Sequence, residues 1–346
     1  MVKIAIIGAG FMGQNHADAY NDIKDAEVVA VYDKNEQLAK EFAIKTDCLA
    51  FTDFEEMAEK VAFDVADICL PTYLHEEYTI RSAQKGKHIF CEKPVTLSVD
   101  SLDRMIAETE KAGVKMMVGQ VLRFWPEYVE AKRRYQSKEL GELNYVFAAR
   151  LSEHPAWSSW YRLPQNSGGG LLDLHLHDID FLCWMLGKVE SVYAAGKQNA
   201  DGCWNFVNST LRFPSGISAS AQGVIEMEKG YPFTMELRLA GSNQTYEYAM
   251  RSGANLENRE SSQRRTAVYE KGKIIELPVE ERDPYTIELE HFVQCIAEKR
   301  DSDVISMEQV REVLCTIEAL RVSLKTGEVV RVDYRSPGER SERGKG

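Results

Sequence analysis

The feature that most restricts how this chain can fold is a run of six residues, Gly8-Ala9-Gly10-Phe11-Met12-Gly13, which follows the apolar Ile4-Ala5-Ile6-Ile7 without a break. A buried strand that runs straight into such a turn and out into a helix is the opening of a dinucleotide-binding βαβ unit. The first glycine permits the tight turn, the second lets backbone approach a pyrophosphate, and the third lets helix pack on strand, while the helix N-terminus offers N–H groups to the anion. Alone, the pattern is weak. Here a second strand, expected over Val28–Tyr32, ends at Asp33, twenty residues past Gly13. A carboxylate there accepts hydrogen bonds from ribose hydroxyls and repels a 2′-phosphate. Gly8, Gly10, Phe11, Met12, Gly13 and Asp33 are therefore the expected cofactor-binding residues, with NAD favoured over NADP.

Further strands are expected at Val65–Leu70, His88–Cys91 and Met116–Val118, alternating with helical stretches such as the one that carries Leu102, Met105, Ile106 and Thr109 at three- and four-residue spacing. That rhythm predicts a parallel sheet covered on both faces. Beyond Gln120 the pattern changes to longer strand-like runs, Leu143–Leu151, Val189–Lys197, Asn205–Phe213 and Ile217–Val224, with a hairpin signal at Pro214-Ser215-Gly216. Helices are expected at Leu171–Leu186, Pro284–Glu298 and Ser306–Lys325. The fold class is an α/β N-terminal Rossmann domain, a doubly wound parallel sheet over residues 1–120. An α+β domain with a large, open, mostly antiparallel sheet follows over 121–334, and a loose tail from about 335 ends the chain.

Composition removes several functions. Lysine and arginine number 42 against 54 acids, a formal charge of −12, and basic residues cluster only in short pairs, so a nucleic-acid partner is not expected. No apolar run approaches the roughly 18 to 20 residues that span a bilayer, and the opening apolar run lacks the basic lead of a signal peptide. Seven cysteines without a C-x-x-C pair read as reduced thiols in the cytoplasm.

Three more segments carry chemistry: Leu70-Pro71-Thr72-Tyr73-Leu74-His75, Cys91-Glu92-Lys93-Pro94, and Gly168-Gly169-Gly170-Leu171-Leu172-Asp173-Leu174-His175-Leu176-His177-Asp178. The first two fall where strands of an open parallel sheet end, the place where such sheets hold ligands. With the glycine motif, they make the chain resemble the Gfo/Idh/MocA family of sugar and inositol dehydrogenases, from Lys3 to Asp333. The resemblance implies that Lys93 and His177 are the catalytic pair and Asp173 their acidic companion, and that Pro71, Thr72, His75, Glu92 and Lys93 lie near nicotinamide and its ribose. Without it, Lys93 before a proline reads as an exposed turn lysine and His177 as a satisfied core histidine. Oxidising a secondary alcohol requires a base for the hydroxyl proton while nicotinamide takes the hydride. A lysine beside a cationic ring and partly desolvated is expected to lose its proton more readily. On a helix, Asp173 and His177 share a face.

The family usually has a small residue where this chain has His175. Two histidines and two acids here suggest a metal, and in an extended stretch they would share a ligand sphere. On the helix expected here, positions two apart lie about 200° from each other, so no metal is expected and His175 should face a neighbouring subunit or the pocket wall. Arg123, in Gln120-Val121-Leu122-Arg123-Phe124, and Tyr161, beside Trp157, Trp160 and Arg162, are candidate substrate contacts, with Lys93, Asp173 and His177. The implied activity is hydride transfer between NAD and a sugar, sugar derivative or cyclic polyol, by a homodimer or homotetramer joined through the second sheet. The same residues also fit an NAD-dependent glycosidase working by transient oxidation. A non-catalytic cofactor-sensing regulator is less compatible with retention of Lys93, Asp173 and His177.

Overall fold

In a computed structural model of the chain, residues 1–154, 159–253, 262–278 and 281–335 are described; Trp157 and the tail from Ser336 lie outside them. The N-terminal elements are β1 (Val2–Ile7), α1 (Phe11–Tyr20), β2 (Ala26–Tyr32), α2 (Glu36–Thr46), β3 (Leu49–Phe51), α3 (Phe54–Lys60), β4 (Val65–Ile68), α4 (His75–Gln84), β5 (His88–Cys91), α5 (Val99–Ala112) and β6 (Met116–Val118). The strands form one sheet in the order β3-β2-β1-β4-β5-β6, every pair parallel. β4 is buried at all four positions, as expected of a strand covered on both faces. Helices start where side chains can cap them: Asn35 accepts from the N–H groups of Gln37 and Leu38, and Ser98 from that of Ser101. β3 went unread because it is short and Leu49 is exposed, leaving no periodicity to detect.

The chain continues with α6 (Pro126–Gln136), β7 (Leu143–Glu153), α7 (Pro164–Ser167), α8 (Leu176–Leu186), β8 (Ser191–Gln198), β9 (Trp204–Arg212), β10 (Ser218–Met227), β11 (Phe233–Gly241), β12 (Thr245–Ser252), β13 (Gln263–Glu270), β14 (Lys273–Glu276), α9 (Pro284–Ala297), α10 (Met307–Thr326) and β15 (Val330–Arg331). A nine-stranded sheet runs β14-β13-β12-β11-β7-β10-β9-β8-β15. It is antiparallel except where β7 and β10 lie parallel. Residues of β9 alternate between inside and outside, and the inner face is covered by α8 and the turn before it. On the outer face, Tyr145 and Phe147, two positions apart on β7, stack with ring centroids 6.4 Å apart. Among the described residues, no helix is long and apolar enough to cross a membrane.

The chain forms two compact units, Met1–Phe124 with Glu281–Val310, and the described residues of 125–280 with those of 311–346. A boundary at residue 120 leaves Pro284–Glu298 in the second half, whereas α9 packs on α1 in the first unit. Its Leu289, Phe292 and Val293 are buried, with the Phe292 ring 5.6 Å from that of Phe90 on β5. An amphipathic helix returns to whichever sheet can cover its apolar side, and sequence distance does not reveal which.

Candidate active-site residues

In the first unit, strand order reverses at β1, which is flanked by β2 and β4. The loops leaving β1, β4 and β5 emerge side by side, tied by Cys69 N–H to Ile7 O (2.9 Å) and Glu92 N–H to Ile68 O (3.0 Å). Gly8 adopts φ +114°, and a Cβ there would stand 2.8 Å from the Cys69 carbonyl oxygen. A Cβ on Gly13 would come within 2.0 Å of the Gly8 carbonyl oxygen, whereas one on Gly10 would meet nothing within 4 Å. Two glycines are thus required by the protein's own packing, and the third leaves open space where a diphosphate can approach backbone N–H groups. Asp33 Oδ2 accepts the Ala9 N–H (2.9 Å) and Oδ1 the Asn35 N–H (2.8 Å), so a half-exposed carboxylate sits against the glycine loop. These features fit a dinucleotide. Phe11 is exposed at the start of α1, Met12 and Pro71 are half-buried, and Thr72 is buried.

His75 lies buried between two backbone carbonyls, its Nε2 2.7 Å from Leu70 O and its Nδ1 2.9 Å from Pro94 O. Burial holds its pKa below the ordinary histidine value. It ties the loop after β4 to the loop after β5. Glu92 is buried too, with Oε2 accepting the N–H of Lys93 (2.9 Å) and Oε1 facing His16 Nε2 (3.1 Å). Lys93 is half-buried, and the Lys93–Pro94 peptide is cis. Arg123, read from sequence as a substrate contact, is fully buried, and its Nη1 donates to Val304 O (3.0 Å) and to Gln309 Oε1. Those bonds clasp the approach to α10.

In the second unit, a single helix over Leu171–Leu186 was expected. The structure instead opens with a π-helical turn, Leu171–His175, before α8. The widened turn is fastened at both ends. Gly170 N–H donates to Asn205 Oδ1 (2.7 Å), and a Cβ on Gly170 would lie 2.8 Å from Ile225. At the other end His175 is 0% exposed, with Nε2 2.8 Å from Ser209 Oγ. Gly223 makes room for it, since a Cβ there would lie 2.8 Å from the imidazole. The expectation that His175 faces a neighbouring subunit or a pocket wall is therefore corrected: it is packed on its own sheet. Burial, aided by the Arg150 charge, pulls its pKa down to about 3. Asp173, in the π turn, is half-buried, and His177, in the first turn of α8, is 7% exposed. Next to His177, Asp178 receives Arg150 through Nε (3.3 Å) and Nη2 (3.2 Å). Tyr161 is buried, its ring against His154 and Trp160.

Among the described residues, the side chains close enough to share a cation are His16, Asp67 and Cys69, not the 173–178 stretch. Sequence reading passed over His16 and Asp67. The signal was available: His16 falls on the stripe of α1 that also carries Gly13, Ala17 and Tyr20, and Asp67 sits inside the otherwise apolar Val65-Ala66-Asp67-Ile68. Polar residues at inward positions seek each other.

A six-stranded parallel sheet with a glycine loop and an acid after β2 is the build of a dinucleotide-binding domain. Residues 2–120 match the model of the oxidoreductase family with an NAD-binding Rossmann fold, and residues 128–247 match the GFO/IDH/MocA C-terminal domain. The chain is 31% identical over 251 residues to myo-inositol 2-dehydrogenase of Thermotoga maritima, covering 70% of this chain and 73% of that one. It is 27% identical to the NAD(+)-dependent scyllo-inositol 2-dehydrogenase of Bacillus subtilis, over 96% and 97% of the two chains. The crystal structure of aldose-aldose oxidoreductase from Caulobacter crescentus, in complex with glycerol, shares the fold with a TM-score of 0.83 at 20% identity, over 95% and 99%. The chain belongs to the Gfo/Idh/MocA family of NAD-binding oxidoreductases and is related to inositol and sugar dehydrogenases.

Proposed function

We propose that this enzyme is an NAD-dependent dehydrogenase that moves a hydride between nicotinamide and a secondary alcohol or ketone of a cyclic polyol or sugar. The observation that carries the reading is the convergence of Gly8–Gly13, Pro71–His75 and Glu92–Lys93 at the ends of β1, β4 and β5, where strand order reverses. The names of the two inositol dehydrogenases support the substrate class. When bound, NAD supplies the hydride acceptor. The Lys93 amino group takes the hydroxyl proton as the alcohol becomes a ketone, and returns it in the reverse direction. His177 is the second proton-exchanging group, with Asp173 biasing its charge. Asp33 accepts the adenosine ribose hydroxyls and disfavours a 2′-phosphate. The Tyr145 and Phe147 face of the second sheet supports assembly of a homodimer or homotetramer, and the cysteine pattern supports a cytoplasmic setting.

The test is NADH formation scanned over cyclitols, aldoses and sugar acids. The expected result is net NADH with at least one inositol or ring polyol. Release of an aglycone from a glycoside with no net change in NADH would replace the dehydrogenase by the transient-oxidation glycosidase.

A further inference from the structure

His16 joins three elements of the first unit. It lies on the inward stripe of α1, is fully buried, and faces two carboxylates. Asp67, within β4, places Oδ2 2.9 Å from Nδ1, and Glu92, just after β5, places Oε1 3.1 Å from Nε2. A neutral imidazole has one N–H to give, and an ionised carboxylate has none. Satisfying both contacts therefore requires the imidazolium. Burial acts to lower the His16 pKa, but the charge and hydrogen bond of Asp67, with Cys69 beside it, outweigh burial and hold it well above the ordinary value. Other titratable groups about the ring include the Cys69 thiol, 3.3 Å from Nδ1, the Tyr20 phenol of α1 and, from α9, Tyr285 with its ring centroid 6.2 Å away and the buried Glu288 carboxylate, whose charge acts on Tyr20. His16, Asp67 and Cys69 are close enough for a cation, yet an imidazolium has no lone pair for one.

The other Glu92 oxygen accepts the N–H of Lys93. We propose that His16 is a positioning residue for Lys93, acting through Glu92. A buried carboxylate with one oxygen held by a charge-assisted bond has a defined place for its second oxygen, and that oxygen fixes the peptide from which the Lys93 side chain springs. Gly119, after β6, leaves space for this, since a Cβ there would lie 2.9 Å from Glu92 Oε1. The proposal rests on the reading of Lys93 as the proton-transfer group. It assigns to the buried imidazolium the task of holding that group's backbone, apart from the glycine loop that holds NAD.

Backbone amide exchange in the full-length protein tests the link without any catalysis. His16→Gln should speed exchange of the Lys93 amide by about tenfold or more, the scale set by losing a hydrogen bond to a charged group. With substrate, kcat should fall by about tenfold or more while the dissociation constant for NAD changes by less than about threefold, a loss confined to the transition state. Nitrogen-15 spectra of wild type should show both His16 ring nitrogens protonated at about pH 8, above the ordinary histidine range. Asp67→Asn, which removes the charge and hydrogen-bond acceptor that hold the His16 pKa up, should bring that titration down toward the ordinary histidine range. Should His16→Gln not fold, the wild-type spectra still test the imidazolium, and Lys93 amide exchange in Glu92→Gln still tests the link. A single neutral tautomer in wild type, unchanged Lys93 exchange in the variant, kcat and NAD affinity falling together, or a stoichiometric metal on His16 would each overturn the proposal. A Lys93→Ala enzyme with undiminished kcat would remove the role of Lys93 instead, leaving the exchange result to stand as a structural link.

Discussion

The two units hold their candidate residues by different means. In the first, position comes from backbone: glycine turns, parallel strand ends, the Ala9 N–H on Asp33, and the His75 ring between Leu70 O and Pro94 O. In the second, Asp173 on the π turn and His177 at the start of α8 are placed by partners 28 to 35 residues distant, through Arg150–Asp178, His175–Ser209 and Gly170–Asn205. A site made of strand ends inherits its geometry from the sheet. One made on a fastened turn depends on each fastening, and the two should fail differently.

The largest contrast is expected within the glycine loop. Gly13→Ala, whose Cβ would overlap the Gly8 carbonyl oxygen, should leave little folded protein by circular dichroism. Gly10→Ala meets nothing and should melt with wild type while NAD affinity falls by about tenfold or more, roughly 1.4 kcal/mol. Equal damage from both would deny that Gly10 is kept open for a ligand. Next comes Gly223→Ala, which drives a methyl into the His175 ring and should destabilise by about 3 kcal/mol, in the range of overpacked cores. Combining it with His175→Ala should recover part of that loss, since contacting residues are non-additive. Full additivity would contradict the pairing.

The His175 imidazole, held neutral with a pKa of about 3, also predicts a pH effect. The folded state binds fewer protons than the unfolded one between that value and about 6.5, so stability is complete above about 6.5 and declines as pH falls through the window. Between pH 7 and pH 5 the loss from this residue is about 2 kcal/mol. Urea melts of His175→Gln should show a shallower decline over that span than wild type, and a parallel decline would acquit the residue. The smallest effect is expected at Asp33, which is half-exposed and so partly screened. Asp33→Ala should narrow the preference for NAD over NADP by about 1 kcal/mol, roughly fivefold. A wild-type preference for NADP in titrations would reverse the role given to that carboxylate.

Legibility followed the same division. β1, β2, β4, β5 and β6, the glycine loop and the position of Asp33 could be read because each is a local pattern, with apolar runs ending at glycine or acid. The resemblance supplied Lys93 and His177. Five strands of the second sheet, β11 to β15, went unread, and so did the π turn, because nothing near Leu171–His175 in sequence announces Asn205, Ser209 or Gly223. Arg123, read as a substrate contact, is buried with Nη1 on Val304 O and Gln309 Oε1, partners that nothing near it in sequence announces. Tyr161, put forward from the segment that also carries Trp160 and Arg162, is buried with its ring against His154 and Trp160, contacts that its sequence neighbourhood only partly announces.

The central claim is that Lys93 and His177 work as one proton-transfer unit in an NAD-dependent dehydrogenase. It is tested most directly by kcat for Lys93→Ala, His177→Ala and the double variant, on a substrate found by NADH formation. Lys93→Ala should lower kcat by about 10²- to 10⁴-fold, the usual worth of general acid–base catalysis, with NAD binding retained. The double variant should be scarcely worse than Lys93→Ala, as for residues that act together. Multiplicative losses would assign the two residues separate roles, and a Lys93→Ala enzyme with near-normal kcat would contradict the account.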